Sequence, residues 1–142
     1  MNLLDIRNLT IELKAKPEPI RAVDKVSIIM KEGEIRGLVG ESGSGKSLVA
    51  QAIVGVLSDR WHVHADRFHW QGQDLMSLSI NERKAIISQD IAMIFQEPMA
   101  CLDPTTSVGE QLEEAVTSDD LSGFFWQKRQ QRKKIASSLL HK

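Results

Sequence analysis

Apolar and polar residues alternate along the beginning of the chain, which is the pattern of β-strands with one buried face. The apolar residues stand at even positions at Leu4 and Ile6 but at odd positions after Asn8, so the parity changes there. This change predicts one strand with a bend or bulge. A second alternation, from Val26 to Met30, predicts another strand, and the segment 31–34 is typical of a hairpin-like turn.

Three shorter segments also have strand character. The apolar runs 35–39 and 91–95 predict two buried strands, and the segment 66–70 predicts a third strand. The segment 16–19 contains two prolines and predicts a loop after the first strand.

Helical spacing of apolar residues begins at position 47 and continues to 56. Two later helices are predicted by capping boxes, in which an N-cap serine is followed three residues later by a glutamate. The two pairs are Ser79 with Glu82 and Ser107 with Glu110. The residues 124–141 predict a basic helix after a polar link over 117–122. The order is therefore α/β, with an early β-rich layer and a helical tail.

Composition narrows the possible functions. The 142 residues carry a formal net charge of −1, which gives no global attraction to nucleic acid or anionic lipid. The single cysteine, Cys101, excludes a disulfide within the chain and suits a reducing compartment. The longest apolar stretch, 48–57, is far shorter than the ~20 residues that cross a bilayer. We expect one domain with a buried core and no nucleic-acid partner.

The most specific motif is Gly40-Glu41-Ser42-Gly43-Ser44-Gly45-Lys46-Ser47, which matches G-x-x-x-x-G-K-[ST]. Its glycines allow the backbone to curl so that successive N–H groups point at phosphate oxygens, and the following helix adds its N-terminal dipole. Lys46 supplies a positive charge for the β- and γ-phosphates, and the Ser47 hydroxyl is suited to bind Mg²⁺. The motif predicts a site for a nucleoside triphosphate with Mg²⁺, and the plainer alternative is a flexible Gly/Ser turn.

The sequence around this loop resembles the ATPase subunits of ABC transporters, in particular their oligopeptide and dipeptide branch. The resemblance covers nearly the whole chain. It is carried by the segments 3–10, 22–27, 33–47, 65–67, 93–99, 102–104 and 108–112.

The resemblance implies an α/β P-loop NTPase fold, namely the N-terminal part of an ABC-type nucleotide-binding domain. An ATP-binding core with its antiparallel β subdomain would occupy 1–97, and the truncated start of a helical subdomain would occupy 98–142. The implied cofactors are ATP and Mg²⁺. Gln96, in the segment that matches the family's Q-loop, would bind Mg²⁺ together with Ser47 and position the attacking water, because an amide both accepts and donates hydrogen bonds.

The implied function is ATP hydrolysis that energises peptide transport, and peptides, cationic antimicrobial peptides and polyamines are all compatible with the resemblance as transported substrates. The implied partners are transmembrane permease subunits and a second ATPase subunit, with a peptide-binding protein acting indirectly. The implied location is the cytoplasmic face of the inner membrane, as a peripheral subunit.

Two departures from the family pattern affect these expectations. No aromatic residue precedes Trp61, so the family's adenine-stacking aromatic is absent and Pro17, Pro19 or Ile20 is expected to pack there. The signature motif, the Walker B aspartate, the catalytic glutamate and the switch histidine are expected beyond residue 142, which leaves the chain without a general base. We therefore expect the chain alone to bind nucleotide weakly and to hydrolyse it negligibly.

Alternatives of other classes remain open. A truncated product that binds nucleotide without hydrolysis would carry the same loop. A GTPase or kinase is disfavoured, because the D-x-x-G match at 120–123 follows no strand and no N-K-x-D occurs. His62, His64 and His69 are candidate zinc ligands, although solvated strand histidines are the simpler interpretation. The basic, aromatic-flanked residues 124–141 are compatible with a membrane interface or with nucleic acid, but a helix of the family's helical subdomain with a charged outer face is favoured.

Overall fold

The computed structural model describes residues 2–116, 121 and 125–139. The chain divides into two compact units, 1–93 and 94–142. The predicted boundary between a core and a helical subdomain at 97/98 stays a prediction. Most of the predicted link 117–122 and of the D-x-x-G match at 120–123 lies outside the described residues.

The first unit is built on an antiparallel sheet, which has five strands among the described residues. The strands are β1 (Asn2–Leu13), β2 (Ile20–Lys31), β3 (Trp61–His64), β4 (Arg67–Trp70) and β5 (Gln73–Asp74). β1 is central, because it pairs with β2 along one edge and with β4 and then β3 along the other. The predicted antiparallel β layer is confirmed.

The predicted bulge in β1 is present at Asn8. Its φ is 50°, in the left-handed region that asparagine tolerates better than most residues. The pairing passes from Ile6 opposite Ile28 to Leu9 opposite Val26, so β1 contains one residue more than β2 between these pairs. Because the bulge shifts the parity, the apolar residues on both sides of Asn8 are buried.

The core of the first unit packs the sheet against two helices, α1 (Lys46–Ile53) and α2 (Ile80–Asp90). α1 contributes Val49 and Ala52, and α2 contributes Ile87. The largest fully buried side chains are Phe68, Ile6, Leu9, Ile11 and Leu75. This packing holds the start of α1, where the predicted phosphate loop ends, against the sheet.

The second unit contains a short 3-10 helix (Pro98–Cys101), α3 (Val108–Ala115) and α4 (Phe125–Leu139). Both predicted capping boxes are confirmed, at Ser79 with Glu82 before α2 and at Ser107 with Glu110 before α3. Hydrogen bonds from each serine lower the pKa of its glutamate. Among the described helices, none has the length and hydropathy of a membrane span.

The predicted strands 35–39 and 91–95 are not formed. Neither segment pairs with another described segment, and a strand exists only through hydrogen bonds to a neighbour. Ile35 and Val39 are 100% and 90% exposed, and Ile94 is 95% exposed, so burial was also predicted wrongly. The segment 31–34 forms a turn but no hairpin, because no paired strand follows it.

Candidate nucleotide-binding site

The residues 40–47 form one loop that leads directly into α1. The loop turns where the Ser44 N–H donates to the Glu41 carbonyl at 3.2 Å. Gly43 and Gly45 have φ values of 78° and 87°, which glycine adopts without strain. Gly45 is the N-cap of α1 and makes no side-chain cap, so no side chain competes for the first N–H groups of the helix. These groups and the helix dipole favour an anion at this position.

Two glycines of the loop are also required by close approach. A Cβ on Gly40 would lie 2.7 Å from the Ser44 Oγ. A Cβ on Gly45 would lie 2.8 Å from Val23 Cγ2 and 3.1 Å from the Ala22 carbonyl oxygen. The end of the loop therefore rests directly on β2. Sequence reasoning missed this contact, since no local pattern indicates which strand lies beneath the loop.

The Lys46 side chain folds back over the start of the loop. Its Nζ donates to the carbonyls of Gly40 at 2.8 Å and Glu41 at 2.6 Å, and to the Ser44 Oγ at 3.3 Å. The ammonium group is thus held against the first residues of the loop. A fixed positive charge, a glycine-rich turn and a free helix N-terminus converge on one small region, which is the donor set that a polyphosphate requires.

The two predicted Mg²⁺ ligands lie in different units. Ser47 is exposed in the first turn of α1. Its hydroxyl oxygen is a hard donor suited to Mg²⁺. Gln96 is exposed in a bend before the 3-10 helix of the second unit. The loop residues are brought together within the first unit, whereas joint Mg²⁺ binding by Ser47 and Gln96 stays a prediction.

A residue missed at the sequence level, Gln111, fixes the segment that follows Gln96. Its Oε1 accepts from the Asp103 N–H at 3.0 Å, and its Nε2 donates to the carbonyls of Asp103 and Thr106, both at 3.0 Å. The Asp103 carboxylate accepts from the hydroxyl and N–H of Thr105, and these bonds lower the pKa of Asp103. The spacing of Gln111 from Asp103 gives no local signal, because the contact depends on the fold of the intervening loop.

The other candidate residues occupy separate positions. Ile20, the first residue of β2, is 60% exposed and lies on the strand that contacts Gly45. His62 and His64 are exposed on β3, and His69 lies on β4. Among the described residues, no group of three or more His, Cys, Asp or Glu side chains is placed to hold a metal ion.

The family model for ABC transporters matches residues 23–142, which include the loop 40–47 and Gln96. The chain belongs to the ABC transporter family. Its fold is accordingly that of the N-terminal part of an ABC-type P-loop nucleotide-binding domain, and the fold class expected from the sequence is confirmed.

Several curated relatives share this sequence. The peptide transport system ATP-binding protein SapD of Escherichia coli O6:H1 is 53% identical over all 142 residues, which are 43% of that relative. SapD of Haemophilus influenzae is 42% identical over the whole chain, which is 41% of that relative. The dipeptide transport ATP-binding protein DppD of Escherichia coli K12 is 42% identical over 116 residues, 82% of this chain and 36% of DppD. The chain thus spans less than half the length of these relatives, and its resemblance to the peptide-transport branch is confirmed.

Proposed function

We propose that this chain forms the ATP-binding part of a subunit that energises an ABC transporter for peptides. The observation that carries the proposal is the loop 40–47, in which Lys46 lies over a glycine turn at the free N-terminus of α1. The names of the relatives support the choice of peptides, since they are ATP-binding proteins of peptide and dipeptide transport systems.

The residues of the loop divide the work of binding. Backbone N–H groups of the loop would bind phosphate oxygens, and Gly43 and Gly45 allow the required curvature. The Lys46 ammonium, which already lies over the loop, would exchange its bonds to the Gly40 and Glu41 carbonyls for bonds to the β- and γ-phosphate oxygens. Mg²⁺, when bound, neutralises phosphate charge. Ser47 and Gln96 would hold it, and Gln96 would also orient the attacking water. Ile20 offers an apolar surface for the base in place of an aromatic ring.

Turnover, in this proposal, needs groups beyond the loop 40–47 and Gln96. Besides Gln96, which would orient the water, hydrolysis requires a general base and a carboxylate that holds Mg²⁺, and the proposal assigns neither role to a residue of the loop 40–47. We propose that a second ATPase subunit completes the site and that transmembrane permease subunits receive the signal from Gln96. A peptide-binding protein would act indirectly, and the subunit would lie at the cytoplasmic face of the inner membrane.

The test is equilibrium binding of ATP with Mg²⁺ to the 142-residue chain and to Lys46→Ala. Because Lys46 supplies a charge-assisted hydrogen bond, its removal is expected to weaken binding at least about ten-fold. Lys134→Ala removes an exposed cation of α4 and serves as the matched control, for which no change is expected. Equal affinity of Lys46→Ala and the unmodified chain would contradict the proposal, and tighter binding of GTP than of ATP would favour a GTPase.

Hydrolysis is tested on the same material. We expect no steady release of phosphate from ATP by the isolated chain. A steady rate that disappears in Lys46→Ala would show that the chain contains its own catalytic groups, and the proposed need for further groups would then be wrong.

A further inference from the structure

A second cleft lies in the first unit, away from the phosphate loop. It has a volume of about 330 Å³ and is lined by Lys14 just after β1, by the end of α1 and the following segment 55–59, and by β3 and α2. None of its lining residues belongs to the loop 40–47. The proposed nucleotide site does not use this cleft.

Part of the wall is cationic. Lys14, Arg83 and Lys84 line it, and Asp59 is the acidic residue among the lining side chains. Lys14 is engaged, because its Nζ donates to the Asp59 main-chain carbonyl at 2.6 Å. Among the described residues, neither Arg83 nor Lys84 forms an ion pair. The wall therefore carries an excess of two positive charges, and the structure provides them with no anionic partner among those residues.

Arg83 is the most unusual of these groups. Its Nε is buried without a hydrogen-bond partner among the described residues, although the side chain as a whole is half-buried and lines the cleft. A cation that is partly removed from water and left uncompensated is costly to hold. An anion in the cleft would offset part of this cost by placing negative charge beside Arg83.

The remaining wall is apolar. Leu57, Trp61, Val63, Ile80 and Ile87 line it. Ile80 is 71% exposed, so its side chain gains from being covered. The cleft thus combines one cationic wall with one aliphatic and aromatic wall, which is the arrangement of a site for an amphipathic anion.

We propose that this cleft binds a small amphipathic carboxylate, with the carboxylate at Arg83 and Lys84 and its apolar body against Trp61 and Ile87. A guanidinium is suited to this head group, because its planar N–H groups match the two carboxylate oxygens. The cleft volume of about 330 Å³ lies at the low end of the range for small-molecule pockets, which suits a short apolar body.

The test uses octanoate as the probe, titrated into the 142-residue chain and followed by calorimetry. We expect saturable binding to one site, and at least about ten-fold weaker binding of 1-octanol, which has the same body without the charge. Inorganic phosphate, which has the charge without the body, is also expected to bind at least about ten-fold more weakly. Absence of octanoate binding, or equal binding of octanol, overturns the proposal.

Variants locate the site. Arg83→Gln is expected to weaken octanoate binding at least about ten-fold and Lys84→Gln a few-fold, since Lys84 is exposed and its charge is screened by water. Arg132→Gln, an exposed residue of α4 outside the cleft lining, is the matched control and is expected to bind as the unmodified chain does. Far-ultraviolet circular dichroism shows whether each variant is folded, and Lys84→Gln keeps the test decisive if Arg83→Gln is not. Unchanged binding by a folded Arg83→Gln, or by Lys84→Gln, overturns the proposal.

Failure of this proposal is distinguishable from failure of the nucleotide site. Arg83→Gln is expected to bind ATP with unchanged affinity, because Arg83 does not contribute to the loop 40–47. If ATP weakens octanoate binding equally in the unmodified chain and in Arg83→Gln, then octanoate binds in the phosphate loop and the second site is overturned.

Discussion

Strand β1 and the segment 35–39 are both apolar stretches of the first unit, but their environments are opposite. β1 has a strand along each edge and buries its apolar side chains, with Ile6, Leu9 and Ile11 at 0% exposure. The segment 35–39 has no paired neighbour among the described residues and leaves Val39 90% exposed. Residues of similar hydropathy are therefore buried or exposed according to the neighbours that the fold provides.

The comparison also shows how the phosphate loop is held. The segment 35–39 enters the loop at Gly40 without a supporting ladder, whereas the far end of the loop contacts β2 at Gly45 and continues into α1, whose Val49 is buried. The position of the loop relative to the sheet is thus fixed by its end at Gly45 and α1.

The largest expected difference between the two stretches is in stability. Ile6→Ala removes a fully buried side chain from β1 and is expected to lower the free energy of unfolding by about 2–5 kcal/mol. Val39→Ala is the matched change in the exposed segment and is expected to stay within about 0.5 kcal/mol. Urea unfolding of both variants measures the difference, and similar losses would mean that the segment 35–39 is packed in solution.

The next prediction tests the anchoring of the loop on β2. Gly45→Ala forces an alanine to a φ of 87° and brings its Cβ within 2.8 Å of Val23 Cγ2, so we expect a loss of about 2 kcal/mol or more in unfolding free energy. Gly33→Ala has a φ of 73° but nothing within 4 Å of the added Cβ, and it is expected to cost about 1 kcal/mol. ATP affinity is expected to fall for Gly45→Ala alone. Equal effects on stability in urea would contradict the contact with β2.

The smallest expected effect concerns acid. Burial of Asp5 in β1 opposes its ionisation, but hydrogen bonds and charge from Arg7 and Arg67 outweigh this and lower its pKa. A carboxyl group with a lowered pKa contributes stability that is complete above its ordinary pKa and is lost as the pH falls through the lowered value. Asp5→Asn is therefore expected to be less stable at neutral pH and to lose less stability on acidification.

Glu34, beside the segment 35–39, provides the control. The Lys31 N–H and Arg36 lower its pKa in the same direction. The direction of the pKa change is the same, but the Glu34 side chain is more exposed than the Asp5 side chain. Glu34→Gln is therefore expected to change the acid dependence of stability less. Unfolding midpoints in urea measured between neutral and strongly acidic pH compare the two variants. A larger effect for Glu34→Gln would mean that the carboxylate beside the segment 35–39 contributes more to stability than the carboxylate in β1, contrary to the expectation.

Much of the candidate site could be predicted from local sequence. The spacing of Gly40, Gly45 and Lys46 encodes a turn before a helix, and the structure forms it. The capping boxes at Ser79 and Ser107 were predictable for the same reason, because each depends on two residues three positions apart. The change of parity at Asn8 indicated the bulge, because one inserted residue exchanges the two faces of a strand.

Other features were out of reach of local patterns. Whether 35–39 and 91–95 form strands depends on whether the fold gives them a neighbour to pair with. The packing of Gly45 on Val23 and the hydrogen bonds of Gln111 join residues that are separated along the chain. No sequence motif marks Arg83 either. It is distinguished by its buried Nε, which has no hydrogen-bond partner among the described residues.

The sequence by itself determined the turn at 40–47 before α1, the family and the places where helices begin, because these depend on residue types at short, fixed spacings. Only the tertiary structure decided which apolar runs pair as strands, which strand supports the loop and where cationic and apolar walls meet in a cleft. The physical reason is that hydrogen-bond ladders and burial need a partner, and the position of that partner is a property of the whole fold.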